Sequence, residues 1–468
     1  MKINAIQLKN TQHFSDLKID FQTTTHSVTV ILGDQASGKT TIIKNIYQAL
    51  TWFSARFKDL RSAGVVMLDQ EVMQQRNQSK IEISIEIPSE IGVLPESSTA
   101  ASQVQNQCQW QLYKTLSASG IGISRVETAQ LEQCVGLYLR AYKNDPLQGL
   151  PLIAYYPTER FIHEVNLLSK NNPSVFQHHA AYENAAIPLT TFARFFEWLR
   201  EVSDIENAQA SQLYQQLMAN EPSTVDELVE DIARHQAQSN QAPQFPDALM
   251  QIRTQQMLPY LTALKSSLST VIPEISDLFI EYQPKLQLMV CYKNQICGFQ
   301  QLSSSIRTWV ALVGDVVRRL CLLNPMSLYP CQEGDGILMI DQIDLGLDPD
   351  HVAVILKRLQ RAFPQLQIIA TGQSLELMDN DDEYQYLKLS NKTLQPMQCQ
   401  KLWQHYDHVY SGMRPNHSAE AQQSDSMSEQ SKAQVIFEQI QQLNEVEQHE
   451  LQRLIQADDD PSHQVSSC

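Results

Sequence analysis

The sequence predicts an α/β fold: a mixed core sheet around one strand–loop–helix unit, an antiparallel sheet beside it, and a helical lobe inserted between two halves. Three observations predict it. The apolar, β-branched run Val28 to Leu32 leads into Gly33-Asp34-Gln35-Ala36-Ser37-Gly38-Lys39-Thr40, and a helical stripe follows through Ile42, Ile43, Ile46, Tyr47 and Leu50. Ile81 to Ile87 alternates apolar and polar residues without a fault, the pattern of a strand with one wet face. Far downstream, the apolar run Gly336 to Ile340 ends in Asp341.

Taken in order, Met1 to Phe21 reads as two short strands, Ile3 to Leu8 and Leu17 to Phe21, joined by a polar turn from Asn10 to Ser15. Cys108, Trp110 and Leu112 alternate with Gln109, Gln111 and Tyr113 and join Ile81 to Ile87 in the antiparallel sheet. The Ser/Ala/Gln-rich stretch Pro95 to Gln107 between them reads as a loop tip. Pro151 to Tyr156 is a short apolar strand. Thr158-Glu159-Arg160 after it stands either at a sheet edge of the kind where phosphate or a coupling loop is found or at an ordinary strand end.

From Leu189 to about Leu264 the period turns helical. Phe192, Phe195, Phe196 and Leu199 form one stripe, and Thr224-Val225-Asp226-Glu227 has the form of a capping box. Ser239 to Pro246 separates this region from a helix over Ala248 to Leu268. Sheet returns with Leu286 to Val290. Leu302-Ser303-Ser304-Ser305-Ile306-Arg307 then opens an amphipathic helix through Trp309, Leu312, Val313, Val316, Val317 and Leu320. Beyond Asp341 come a helical stretch, Leu356 to Phe363, and a buried strand, Leu366 to Ala370. Residues 1–188 and 271–410 are thus the halves of the main domain and 189–270 the inserted lobe. Residues 411–434, rich in Ser, Gln and charge, read as a disordered linker, and 435–458 as a helical pair striped by Ile436, Phe437, Ile440, Leu443, Leu451, Leu454 and Ile455.

Composition narrows the function classes. With 468 residues, more than one compact core is expected. A formal net charge of −17 disfavours an overall basic nucleic-acid binder, because phosphate contacts need clustered Lys and Arg. The eight cysteines form no C-x-x-C pair, which reads as free thiols in a reducing cytoplasm. No apolar run is long enough to span a bilayer.

Gly33 to Thr40 fits the P-loop pattern G-x-x-x-x-G-K-[ST] in the context its mechanism needs, strand before and helix after. Backbone N–H groups of such a loop converge on phosphate oxygens, and the helix adds its positive N-terminus. Gly33 and Gly38 free the backbone to curl, Ser37 and Thr41 flank the cradle, Lys39 reaches the outer phosphates, and Thr40 is a Mg²⁺ ligand candidate. Asp341, at the end of its apolar strand, is the candidate second Mg²⁺ partner. About three hundred residues separate Lys39 from Asp341, so a large insertion divides one site.

The residues resemble bacterial ABC-class ATPases of the SMC, RecF and overcoming-lysogenisation-defect type, and most closely the ATPase subunits (PtuA) of Septu-type antiphage systems. The likeness rests on Gly33 to Thr41, Leu152 to Arg160, Phe195 to Trp198 with Asp204 to Asn207, Leu302 to Pro325 and Gly336 to Asp348. It implies an ABC/SMC-like head that binds ATP and Mg²⁺, forms a homodimer or higher oligomer, and joins an HNH-type nuclease. It also implies that the Asn10 to Phe14 turn lies near the base and ribose.

Three positions depart from the resembled pattern. The glutamate that activates water is replaced by Gln342, the switch histidine by Gln373, and the signature keeps Leu302 and Ser303 but has Ser305 for glycine and Ile306 for a polar residue. An amide holds water but is no base at neutral pH, so general-base help, typically ~10²- to 10⁴-fold, is absent at Gln342. Ser303 would act in trans on a partner's nucleotide. The expectation is a nucleotide-gated scaffold that hydrolyses ATP slowly or not at all. Its rival is an active ATPase in DNA repair or recombination, with a carboxylate such as Asp344 supplying the base.

Overall fold

A computed structural model describes residues 1–94, 106–117, 122–145, 147–160, 162, 178–182, 188–219, 259–378 and 384–397. All of them lie in the compact unit Met1–Leu402, and the second unit, Trp403–Cys468, lies outside them. The loop tip expected at 95–107 lies almost wholly outside the described residues. The capping box at 224–227, the break at 239–246, the linker and the C-terminal pair lie wholly outside them.

The chain opens with an antiparallel hairpin, β1 (Lys2–Thr11) and β2 (Phe14–Asp20). β1 runs farther than the expected Leu8, and the turn shrinks to Gln12 and His13. The reason is Thr11, wholly buried with its hydroxyl 2.8 Å from that of Ser79, which keeps the strand in the sheet to its last residue. β4 (Gln78–Glu86), β5 (Gln107–Thr115) and β6 (Ile123–Glu127) complete a five-stranded sheet in the order β2-β1-β4-β5-β6. Its inward residues Ile81, Ile83 and Ile85 pair across with Leu112, Trp110 and Cys108, the alternation that the sequence displays.

The core sheet has the order β14-β13-β3-β12-β11-β7. Its strands are β3 (Val28–Gly33), β7 (Leu152–Tyr156), β11 (Gly336–Ile340), β12 (Leu366–Gly372), β13 (Gln385–Ser390) and β14 (Thr393–Met397). β7, β11, β12, β3 and β13 are parallel, and β14 turns back antiparallel at the edge. The central strands read as continuous apolar runs because both faces are covered. On one face Ile31, Ile153, Tyr155, Ile337, Met339 and Ile369 meet α1 (Lys39–Lys58), α2 (Ala129–Asn144) and the antiparallel sheet. On the other, Val30, Ala154, Tyr156, Leu338 and Ile368 share a core with residues of α3 (Pro188–Ala219), α4 (Tyr260–Val271), α5 (Ser304–Leu323) and α6 (Pro349–Ala362). Phe195, Phe196 and Trp198 of α3 are fully buried there, each side chain stabilising by about 1.5–3 kcal/mol.

A small sheet, β8 (Ile275–Glu281), β9 (Gln287–Tyr292) and β10 (Gln295–Gly298), leads from α4 towards α5. α2, β6 and the β13–β14 hairpin were not foreseen. β13 and β14 are joined at Asn391 and Lys392, both at positive φ, a hairpin turn without the glycine that would have advertised it.

Two buried glutamines stitch the layers. Gln367 of β12 accepts from the Ile3 amide at 2.6 Å and donates to the Ile3 carbonyl at 3.0 Å, imitating a paired peptide. Gln385 of β13 does likewise, accepting from the Gln22 amide and the Thr29 hydroxyl and donating to the Asp20 carbonyl. A mixed, mostly parallel core sheet around the P-loop strand, with an antiparallel sheet packed across α1, is the α/β architecture expected from the sequence.

Candidate nucleotide site

β3 delivers the chain into the loop, and α1 starts at Lys39. Ala36 at φ 61° and Gly38 at φ 109° put the loop into the alternating curl whose amides point inward. Gly38 serves twice: its conformation suits glycine, and a Cβ there would meet Phe14 Cζ at 2.8 Å. At Gly33 a Cβ would come within 2.7 Å of the Leu389 carbonyl oxygen. Lys39 is buried, and its ammonium donates to the Gly33 and Asp34 carbonyls at 2.6 and 2.7 Å. Burial lowers its pKa, and Asp341, Asp344 and Asp34 oppose that shift. The Ser37 hydroxyl is buried without a partner among the described residues. An orphaned hydroxyl beside an ammonium that now satisfies only its own loop fits a phosphate group, which would take both.

The hairpin turn reaches this cradle. Thr41 donates to Gln12 Oε1 at 2.7 Å, and Phe14 lies against Gly38. Thr40, one residue earlier on α1, is exposed.

Asp341 follows β11 and is wholly buried. Its two carboxylate oxygens accept from Thr371 Oγ1 at 2.5 Å and Thr158 Oγ1 at 2.9 Å. Among the described residues no group of three or more His, Cys, Asp or Glu could hold a metal by itself. Mg²⁺ is commonly held by one or two carboxylates plus substrate phosphates, and the Asp341 carboxylate and the Thr40 hydroxyl are oxygen donors of the kind it takes.

Next to Asp341, Gln342 has φ 47°. Its amide donates to Thr371 Oγ1 at 2.8 Å, and its carbonyl accepts from Arg160 at 2.5 Å. The same guanidinium donates to the Asp341 and Pro157 carbonyls. Burial lowers the pKa of Arg160 to about 10, against the pull of Asp341 and Asp344, yet it stays charged at neutral pH. Thr158 and Arg160 thus tie the end of β7 to Asp341 and Gln342 at the end of β11. Gln373 is exposed; its amide and that of Ser374 donate to Asp344 Oδ2 at 2.8 and 2.7 Å. Asp344 anchors the loop after β12.

Ser303 caps α5, its hydroxyl accepting from the Ile306 amide at 3.3 Å, while Ser305 donates to the Gly346 carbonyl. Ser303 shares no hydrogen bond with its own P-loop among the described residues. Farther along α5, buried Asp315 binds Arg318 at 2.9 Å, Arg319 at 2.7 Å and the Tyr156 hydroxyl at 2.9 Å, joining α5 to the end of β7. Burial would raise the Asp315 pKa, but Arg319 and Arg318 hold it below the usual carboxylate value. Sequence reasoning missed this cluster and the clamp made by Thr371. The D-x-x-R-R spacing at 315–319, which puts both cations one turn from the acid, was the available signal.

The family described as an AAA domain matches residues 5–276, more than half of the chain. The chain belongs to that AAA-domain family. Membership agrees with the P-loop, which lies inside the matched residues, and it makes this an ATPase-like protein. Among relatives, the Retron Ec83 probable ATPase of Escherichia coli is 25% identical over 410 residues, covering 84% of this chain and 72% of that protein. The Septu protein PtuA of Bacillus mycoides is 28% identical over 108 residues, 20% of this chain and 14% of that protein. The likeness to Septu ATPases read from the motifs therefore has a counterpart in the comparison. Among solved structures, an SmcHead bound to the C-winged helix domain of ScpA matches with a TM-score of 0.45 and 11% identity, covering 86% of this chain and 100% of that one. No described helix is long and apolar enough to cross a membrane.

Proposed function

We propose that this chain binds ATP with Mg²⁺ and uses the bound nucleotide to control assembly with a partner effector in antiphage defence, hydrolysing ATP slowly or not at all. The observation that carries the proposal is the contrast inside one site: a P-loop cradle whose Ser37 hydroxyl has no partner among the described residues, beside an apex where Gln342 stands next to Asp341. Gly33, Ser37, Gly38, Lys39, Thr40 and Thr41 would hold the phosphates, and Thr40 with Asp341 the Mg²⁺. A bound Mg²⁺ would supply charge neutralisation for the nucleotide phosphates. Gln342 offers an amide for a water and no base. Ser303, at the N-terminus of α5, would face a second protomer's nucleotide in a homodimer or larger assembly. An HNH-type nuclease is the partner that the Septu resemblance suggests. Retron and Septu relatives support the setting. A ligand that favours one assembly over another needs only differential affinity, so turnover is not required.

ATP binding and single-turnover hydrolysis, measured on the wild type and Gln342→Glu, test this. Tight Mg²⁺-dependent binding with negligible turnover, raised by the glutamate, is expected. Brisk wild-type turnover abolished by Lys39→Ala would replace the proposal with the active ATPase of DNA repair or recombination.

A further inference from the structure

Two connections meet where β7 and β11 begin. The P-loop and Asp341 follow the far ends of β3 and β11, so this junction lies at the opposite end of the core sheet from the nucleotide site. The Leu150 amide donates to the Leu323 carbonyl at 3.1 Å, and a Cβ on Gly149 would overlap Asn324 Oδ1, so residues 147–150 lie against the turn that follows α5. That turn is held by its own polar groups. The Asn324 side chain donates to the Leu320 carbonyl at 2.9 Å, and the Ser327 amide donates to the Asn324 carbonyl at 3.2 Å. The Ser327 hydroxyl accepts from the Tyr329 amide at 3.0 Å and donates to Glu333. This pinned backbone carries apolar side chains in solvent: Leu147 is 71% exposed, Met326 60%, Leu328 67% and Tyr329 64%. Single exposed apolar residues need no explanation, but four at one junction form a patch of the kind that marks an interface.

Beside the patch opens a cleft of about 530 Å³, lined in part by Gln148, Gly149 and Asn324 of the same two connections. Its charge is one-sided. Glu86, Glu90, Glu333 and Asp335 line it, against Lys2 and the Met1 amino group, which is bound to Asp335. Glu86 and Glu90 are exposed, and their carboxylates make no hydrogen bond or ion pair among the described residues. Carboxylates beside apolar side chains repel the phosphates of nucleic acid and of an anionic bilayer. A second copy seated patch on patch would bring the same unpaired carboxylates to the contact, where like charges oppose association. The complementary surface is apolar with a positive edge.

We propose that this face docks an apolar, basic segment of another protein. Its aliphatic or aromatic side chains would cover Leu147, Met326, Leu328 and Tyr329, and a lysine or arginine at its edge would enter the cleft towards Glu86 and Glu90. Burial of the patch supplies affinity, and the carboxylates select the partner and speed its approach. Tyr and Met are residue types enriched where proteins meet, and a turn already fixed by its own bonds has little ordering cost left on binding. A segment docked here leaves the P-loop open, so both can be occupied together.

The test is titration of the full chain, without nucleotide, by fluorescence anisotropy, so its outcome is separate from that of the ATP-binding proposal. The probes are three labelled peptides of one length and pattern, built from leucine and lysine, from leucine and glutamate, and from serine and lysine. The leucine–lysine peptide should bind about tenfold or more tightly than either of the others. Tyr329→Ser and Leu328→Ser should each weaken it about tenfold, and Glu90→Gln about threefold. Ile296→Ser, at a side chain 66% exposed on β10, should leave it unchanged. No binding of the leucine–lysine peptide, equal binding of the leucine–glutamate peptide, or binding that Tyr329→Ser leaves intact overturns the proposal. So does dimerisation of the wild type in sedimentation equilibrium that Tyr329→Ser abolishes, because the face would then belong to a second copy.

Discussion

The phosphate cradle and the Asp341 corner, two halves of one site, are built by different means. The cradle is made of backbone: two residues at positive φ, one lysine folded onto its own loop, and a hydroxyl with no partner among the described residues. The corner is made of side chains that satisfy one another, Thr371 and Thr158 on Asp341, Arg160 on the carbonyls of 341 and 342, Asp344 under the loop at 373 and 374. The difference teaches where change is tolerated. At the corner the catalytic-type side chains differ from the resembled pattern while every polar group that shapes the backbone around them is in place.

That comparison breaks if side chains in the corner are dispensable. The largest effect should come from Asp315→Asn beneath β7, which leaves two buried guanidiniums without their counter-charge; a loss of about 3–5 kcal/mol is expected in urea unfolding. Because the folded Asp315 pKa is depressed, its contribution is fully present above pH 3.8 and fades as pH falls through the lower folded value. The gap between wild type and variant should therefore be constant from pH 7 to 5 and shrink only in stronger acid. Next, Lys39→Ala should weaken ATP binding by about 30- to 100-fold, the scale of a lost charge-assisted hydrogen bond, while the unfolding midpoint stays near that of the wild type. A large loss of stability instead would make the cradle as side-chain-dependent as the corner.

Thr371→Val sharpens the contrast. It strips partners from both Asp341 and the Gln342 amide, and about 1–3 kcal/mol of stability should go. Ser37→Ala should be the mildest: stability unchanged to within about 0.5 kcal/mol, since no internal bond is lost, with ATP affinity down less than tenfold.

What the sequence made legible follows the same divide. The P-loop, β3 and α1 were readable because every determinant lies within thirty consecutive residues, and β11 with Asp341 because a buried strand ending in an acid is a local pattern. Thr371 and the clamp by Arg160 were not, because their meaning depends on partners 30 and more than 180 residues away. α2 escaped despite a clear stripe of Leu131, Cys134, Val135 and Tyr138, since the sheet patterns before and after it drew the reading.

β3 has a further consequence, one of timing. The P-loop strand is made within the first thirty-three residues, yet the strands on both sides of it, β12 and β13, are encoded more than 300 residues later, as are the glutamines that stitch the N-terminal hairpin to the core. At roughly 5–20 residues per second, a ribosome needs about 15–60 s to reach them. Until then the loop hangs from an unpaired strand, and a nascent chain has a phosphate-binding motif but no phosphate-binding site.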